Sequence, residues 1–73
     1  MASLPILSGR EVVKVFVSFR WEVSRQSGSH IIMTKSGETI TLLIPDHKEV
    51  AKGTLRSLIR AANLTVDEFT ASI

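Results

Sequence analysis

The segment RQSGSH, residues 25–30, is a polar stretch between two short apolar runs, and it ends on one of the two histidines in the chain. Its small central residues predict a turn, because glycine accepts positive φ without steric cost and serine hydroxyls bond nearby backbone. The flanking residues 21–24 and 31–34 are predicted as strands, since both runs carry aromatic, β-branched or aliphatic side chains. The pattern therefore predicts a hairpin, with His30 at the first residue of its second strand.

A histidine in this position suits a reactive group, because a strand fixes the imidazole while small turn residues leave room for a substrate. The competing interpretation is structural, since a lone histidine in a small domain is more often a surface residue or a hydrogen-bonded core residue. Alternation along the strand does not tell which way His30 points, because Ile31, Ile32 and Met33 are all apolar. Both interpretations stay open from the residues alone.

The length and composition of the chain limit the classes of protein to which it can belong. A chain of 73 residues is expected to form one domain over residues 1–73 and to bury only about 60% of its unfolded surface. The absence of cysteine excludes disulfides, a thiol nucleophile and Cys-ligated metal sites. No apolar run approaches the ~20 residues that span a bilayer, so we expect a cytoplasmic protein without a membrane partner. A net charge of +2 permits an anionic partner.

The N-terminal part of the chain predicts an arm followed by a helix. Residues 1–7 contain Pro5 and show no period, which is typical of an extended arm. Ser8 with Glu11 three residues later is a capping box, so we expect a helix from Ser8 to about Phe19. The side chains at helical spacing on its predicted buried face are Val12, Val13, Phe16 and Phe19.

A third strand is predicted over residues 38–44. Ser36 and Gly37 before it are a hairpin signal. The run then alternates, with Ile40, Leu42 and Ile44 on one face. Pro45 should end the strand, because proline cannot donate to a ladder.

The C-terminal third predicts two helices. The first should run from about residue 51 to residue 62 and bury Leu55, Leu58, Ile59 and Ala62. Lys52, Arg56 and Arg60 recur every four residues outside that face and are called the basic stripe below. Asn63 can take the left-handed conformation that ends a helix. Thr65 with Glu68 is a second capping box, which opens a short last helix that buries Val66 and Phe69.

The predicted fold class is therefore α+β, in the order α-β-β-β-α with a three-stranded antiparallel sheet and a short C-terminal helix. This is the element order of double-stranded RNA-binding domains. Analogy at the level of the fold gives one candidate function, a non-catalytic module that binds duplex RNA through the basic stripe.

Other motifs fail on spacing or composition. Residues 52–54, Lys-Gly-Thr, lack the upstream glycine and the Gly-Lys-Thr order of a phosphate-binding loop. Asp46, His47 and Glu49 could be imagined with His30 around a metal, but no HExxH or cysteine pattern supports a site. We predict neither a metal nor another cofactor.

Five segments together resemble one known family. They are LSGREV (7–12), RQSGSH (25–30), PDH (45–47), KGTLRSLI (52–59) and LTVDEF (64–69). In this order they are similar to the HicA toxins of prokaryotic toxin–antitoxin systems, and the resemblance covers nearly the whole chain. The most specific parts are residues 28–30 and residues 52–55. The chain departs from the family at Arg20 and Trp21, where Gly-Phe is usual, and at residues 34–37, which are shorter and more polar than the usual hairpin tip.

The resemblance implies a double-stranded-RNA-binding-domain-like fold and the toxin role in a type II toxin–antitoxin system. It further implies a metal-independent endoribonuclease that cleaves mRNA and is neutralised by a HicB-like antitoxin. The single essential histidine of the family corresponds to His30, and neither departure touches it. A neutral imidazole, with a reference pKa of about 6.5, is suited to take a proton from a ribose 2′-hydroxyl. Such general-base assistance is typically worth about 10² to 10⁴ in rate.

Further residues are candidates for supporting or substrate-binding roles. His47 could protonate the leaving group, or it could be a loop residue that bonds backbone. Arg25 and Lys48 could neutralise the phosphate, or they could be solvated charges. The full set of candidates beside His30 is Arg25, Ser27, Gly28, Ser29, His47, Lys48, Lys52, Arg56 and Arg60.

Overall fold

Helices cover one face of a three-stranded antiparallel sheet in the computed structural model, which describes residues 3–73. Met1 and Ala2 of the predicted arm lie outside the described residues. The elements are α1 (Gly9–Ser18), β1 (Glu22–Ser27), β2 (His30–Thr34), β3 (Leu42–Pro45), α2 (Lys52–Ala61) and α3 (Val66–Ala71). The sheet order is β1-β2-β3, so the predicted α+β class, element order and short C-terminal helix are confirmed.

Both predicted capping boxes begin helices. At α1, the Ser8 hydroxyl accepts from the Glu11 N–H at 3.1 Å, and the Glu11 carboxylate accepts from the Ser8 N–H at 2.9 Å. Thr65 and Glu68 make the same pair of bonds before α3, at 3.0 and 2.8 Å. Each box satisfies two backbone amides that the first helical turn leaves without a partner. The caps therefore fix where these two helices start.

The two faces of the sheet differ in character. Ile31 and Met33 of β2 are buried, as are Leu42 and Ile44 of β3, and all four join one core with the helices. Successive side chains of a strand point to opposite faces. His30 and its same-face neighbours therefore lie on the side of the sheet away from the helices, called the open face below. The structure thus answers the question of orientation that alternation left unresolved.

Two strand boundaries differ from the predictions. Only Gly28 and Ser29 form the first turn, with Gly28 at φ +58°, and residues 25–27, predicted as part of the turn, belong to β1. The ladder continues to the pair Ser27–His30, so these polar residues are held by strand pairing. The prediction of a third strand over residues 38–44 was also too long, because β2 ends at Thr34 and its ladder with β3 begins at Leu42.

The core includes side chains that the helical pattern did not select. In residues 3–8, which have no regular secondary structure, Leu4 and Leu7 are buried, so the predicted arm packs onto the domain. Val15 is buried in α1, whereas Val13 and Phe19 are only partly buried. Two other residues that were predicted to be buried are not fully so: Ile40 is exposed and Val66 is partly buried.

The predicted buried face of α2 is confirmed. Leu55, Leu58, Ile59 and Ala62 are all buried. Asn63 has φ 60° and follows the helix, as expected for a left-handed terminating residue. Phe69 of α3 is buried with its ring centroid 5.3 Å from that of Phe16 in α1, which ties the C-terminal helix to the rest of the core.

Candidate functional site

His30 is the first residue of the central strand, and its side chain is exposed on the open face. It pairs with Ser27 of β1 on one side and with Pro45 of β3 on the other. Because directly opposite residues share a face, these three residues form a row across the sheet, called the first row. The backbone that carries the imidazole is thus fixed by two neighbouring strands, while the side chain stays accessible to a large ligand.

A second row lies next to the first on the same face. Ile32 of β2 pairs with Arg25 of β1 and with Leu43 of β3. Ile32 is partly buried and Leu43 is 52% exposed. A shift of register between Val23 and Arg25 marks a bulge in β1, and it brings Arg25 into this row. The open face thus presents a cation and two aliphatic side chains beside the imidazole.

The turn before His30 is held from the opposite face by three side chains, called the hairpin clamp. The Gln26 amide donates to a carboxylate oxygen of Asp46 at 3.1 Å and to the carbonyl of Gly28 at 3.4 Å. Asp46 also forms an ion pair with Arg10 of α1, with 3.4 Å between Nε and Oδ1. The Asp46 N–H donates to the carbonyl of Ser29 at 2.7 Å. These contacts join the turn to the end of β3 and to α1.

Sequence patterns did not identify the hairpin clamp. Gln26 and Asp46 are 20 positions apart, and Asp46 is contacted from a third element by Arg10. No local spacing rule connects them. The bulge in β1 was equally hidden, because Ser24 and Arg25 read as ordinary strand and turn residues.

A groove of about 350 Å³ lies between α1 and β1. Its lining includes Arg10 and Val13 of α1, with Gln26 and Ile31 of the sheet. Gln26 pairs with Ile31, whose side chain enters the core, so the groove opens on the helix-covered side of the sheet. It is therefore separate from the face that carries His30.

The loop after β3 carries two more of the predicted candidates. His47 and Lys48 are exposed, and the His47 carbonyl accepts from the Gly9 N–H at 2.9 Å. Within residues 3–73 the imidazole of His47 makes no hydrogen bond. The loop thus bonds through its backbone to the start of α1, and it follows directly on the strand that ends beside His30.

Apart from His47 and Lys48 in the loop after β3, the predicted site residues divide into two groups. Arg25, Ser27 and His30 share the open face, and Gly28 and Ser29 form the adjoining turn. The basic stripe lies on α2, whose buried residues pack onto the other face of the sheet. Its members, Lys52, Arg56 and Arg60, are all exposed. The structure therefore gathers the hairpin residues around His30 and leaves the stripe on a different element.

The described part of the chain holds no group of three or more histidine, cysteine, aspartate or glutamate residues that could bind a metal ion. None of the helices in residues 3–73 is long and apolar enough to cross a membrane.

Taken together, the helix-backed antiparallel sheet and the exposed histidine beside a glycine turn define a small α+β domain with one accessible imidazole on its open face. Residues 9–64 match the model of the family described as HicA toxin of bacterial toxin-antitoxin. The chain belongs to the HicA toxin family, and it is therefore the toxin component of a toxin–antitoxin system, with an antitoxin of the HicB type as the implied partner. Neither the curated proteins nor the solved structures gave a match to the chain.

Proposed function

We propose that this toxin is a metal-independent endoribonuclease that cleaves mRNA, with His30 as the general base. The observation that carries the proposal is the placement of His30, whose imidazole is exposed at a glycine turn on backbone fixed by Ser27 and Pro45. A general base needs a defined position and access to the proton that it removes. Membership in the HicA family supports the same activity.

The proposed step uses the substrate's own ribose as nucleophile. Neutral His30 takes the proton of a 2′-hydroxyl, and the 2′-oxygen attacks the adjacent phosphorus. The bond from phosphorus to the 5′-oxygen of the next nucleotide breaks, and that oxygen leaves with a proton. The products are a 2′,3′-cyclic phosphate and a 5′-hydroxyl. The proton for the leaving oxygen comes from water or from a second acid, for which His47 is the candidate on the neighbouring loop.

The surrounding cations have distinct proposed roles. Arg25 shares the open face with His30, and this position supports a role in stabilising the charge that develops on the phosphate. Lys48 follows His47 in the loop after β3 and can contact a flanking phosphate. Ser27, Gly28 and Ser29 leave space for the ribose beside the imidazole. The basic stripe lies on another element and is assigned to capture of RNA rather than to the reaction.

Incubation of the purified protein with RNA in excess EDTA, followed by mapping of the new ends, tests this proposal. We expect cleavage to continue in EDTA and to leave 5′-hydroxyl ends opposite 2′,3′-cyclic phosphates. Cleavage that stops in EDTA, or that leaves 5′-phosphates, would contradict a 2′-hydroxyl mechanism. Heat-denatured protein from the same preparation controls for a contaminating nuclease that survives heating.

A second candidate function is the non-catalytic RNA-binding module. The observation that favours it is the exposure of Lys52, Arg56 and Arg60, none of which has an acidic partner within residues 3–73. Three free cations at helical spacing can contact phosphates. Salt-dependent binding of duplex RNA without any cleavage would support this function over the nuclease.

A further inference from the structure

Along its own strand, His30 has an apolar same-face neighbour in one direction only. Along a strand, side chains on the same face repeat about every 6.6–6.8 Å, so Ile32 stands one such step from His30. Leu43 lies beside Ile32 on the neighbouring strand. In the opposite direction the chain reaches the turn at Gly28 and Ser29, which offers no apolar side chain. The second row is therefore the apolar surface that directly adjoins the imidazole on its own strand.

We infer that Ile32 and Leu43 form a platform on which one unpaired nucleobase of the substrate packs, while Arg25 in the same row contacts the phosphate of that nucleotide. The inference rests on the proposed function, because it takes the ribose to lie at His30. A general base acts within about 2.6–3.2 Å of the proton-bearing oxygen, which fixes the sugar over the first row. The base of that nucleotide or of its neighbour then reaches the next row along the strand.

Burial and charge both support this occupant. Leu43 leaves 52% of its surface exposed, and Ile32 beside it is partly buried, so apolar area is available for contact. Arg25 adds a positive charge at the β1 end of the row, which complements a phosphate. The next pair on this face is Glu22 and Thr34. The negative charge of the Glu22 carboxylate disfavours binding of a further phosphate there. The platform thus accommodates about one base beside His30 and does not continue as a binding surface for a long stretch of RNA backbone.

The chemistry of the platform predicts the form of RNA that it accepts. In an A-form duplex the bases are stacked and paired, and proteins contact chiefly phosphates and 2′-hydroxyls. A base can lie on Ile32 and Leu43 only if it is unpaired. Aliphatic side chains donate and accept no hydrogen bonds, so contact here should discriminate weakly among the four bases.

Binding of 2′-fluoro RNA tests the platform with His30 intact, because this RNA lacks the attacking hydroxyl. The variants are Leu43→Thr and Ile32→Thr, which keep strand propensity and remove apolar surface. Val17→Thr is the matched control, since Val17 is also 52% exposed but lies on α1. We expect the double variant to bind a short single strand about fivefold more weakly or worse, which corresponds to the loss of about 40 Å² of apolar contact at about 25 cal/mol per Å². Binding of the same sequence as a duplex, and binding by the control, should not change.

Salt dependence separates the apolar and ionic parts of the row. Arg25→Ala should make the slope of log affinity against log salt shallower by about 0.7, the contribution of one phosphate contact on a single strand. The threonine variants should keep the wild-type slope, because they remove no charge. A shallower slope in the threonine variants would contradict an apolar platform.

Several outcomes would overturn the inference. Unchanged single-strand affinity would do so, as would equal losses for single strand and duplex. Normal RNA binding with lost binding of the antitoxin would assign the surface to the protein partner instead. Because Leu43 is exposed, Leu43→Thr alone provides the test if Ile32→Thr unfolds.

The platform and the general base can fail independently. If the wild-type protein does not cleave RNA but the threonine variants still lose single-strand affinity, the general-base proposal is wrong and the platform stands. If the wild-type protein cleaves and the variants bind normally, the platform is wrong and the general base stands.

Discussion

Substitution of Gly9 by alanine should destabilise the domain, although glycine is ordinarily a poor helix residue. Gly9 is the first residue of α1 and is buried against the end of β3. A Cβ at this position would lie 2.0 Å from the carbonyl oxygen of Pro45 and 3.0 Å from its carbon. Both partners are backbone atoms, so no side-chain rotation can relieve the overlap. The start of α1 and the end of β3 would have to separate.

Two opposing effects determine how much Gly9→Ala changes the free energy of unfolding. Alanine in place of glycine in a helix gains about 0.5–1 kcal/mol from reduced backbone entropy. Forcing extra volume into a packed site costs about 1–3 kcal/mol. Since the overlap is between backbone groups, we expect the steric cost to dominate and the free energy of unfolding to fall by about 1–2 kcal/mol. In a domain of this size that lowers Tm by about 4–16 °C.

Gly53 provides the matched control. It also lies in the first turn of its helix, α2, but nothing stands within 4 Å of a Cβ built there. Gly53→Ala should therefore leave stability unchanged or raise it by up to about 1 kcal/mol. The fluorescence of Trp21, which is 1% exposed, reports unfolding in urea for both variants. If Gly9→Ala proves as stable as Gly53→Ala, the close approach of α1 to Pro45 is wrong.

Three further predictions concern pH, salt and the antitoxin. Hydrogen bonds with Ser8, that of its backbone N–H first, lower the pKa of Glu11 in the folded protein. The stability that ionised Glu11 contributes is therefore complete above its pKa in the unfolded chain and is lost as the pH falls through its pKa in the folded protein. On going from neutral to acid pH, Tm should fall less in Glu11→Gln than in the wild-type protein, and an equal fall would contradict this role of Glu11. Replacing Lys52 and Arg56 by alanine should flatten the salt dependence of RNA affinity by about 0.7 per lost contact on a single strand, whereas an unchanged slope would place RNA on another face. Bound antitoxin should slow amide exchange over residues 25–30, and exchange equal to that of the free toxin would exclude direct occlusion of the turn.

The helices could be predicted well from sequence because their signals are local. Ser8 with Glu11 and Thr65 with Glu68 each span one turn, and the structure contains both boxes. The buried face of α2 followed from a single helical period in the same way. Propensity and spacing suffice when the interacting residues are three or four positions apart.

The candidate site was only partly predictable, because long-range pairing determines it. Three consecutive apolar residues, 31–33, hid the orientation of His30, and the burial of Ile31 and Met33 against the helices resolves it. The contact between Gln26 and Asp46 depends on how a hairpin packs against a loop 20 residues away. The third strand was predicted too long because alternation continues into residues 38–41, for which β2 offers no partner.

The central claim is that His30 performs the reaction and is not needed for folding. Its side chain is exposed at the edge of a turn, so His30→Ala should change the free energy of unfolding by about 1 kcal/mol or less. Loss of the general base should lower the rate of RNA cleavage by about 10² or more. The decisive measurement is the cleavage rate of His30→Ala beside its thermal unfolding, on one preparation, with His47→Ala in parallel. A folded His30→Ala protein that has lost cleavage agrees with the proposed mechanism, whereas a folded protein that cleaves at the wild-type rate contradicts it.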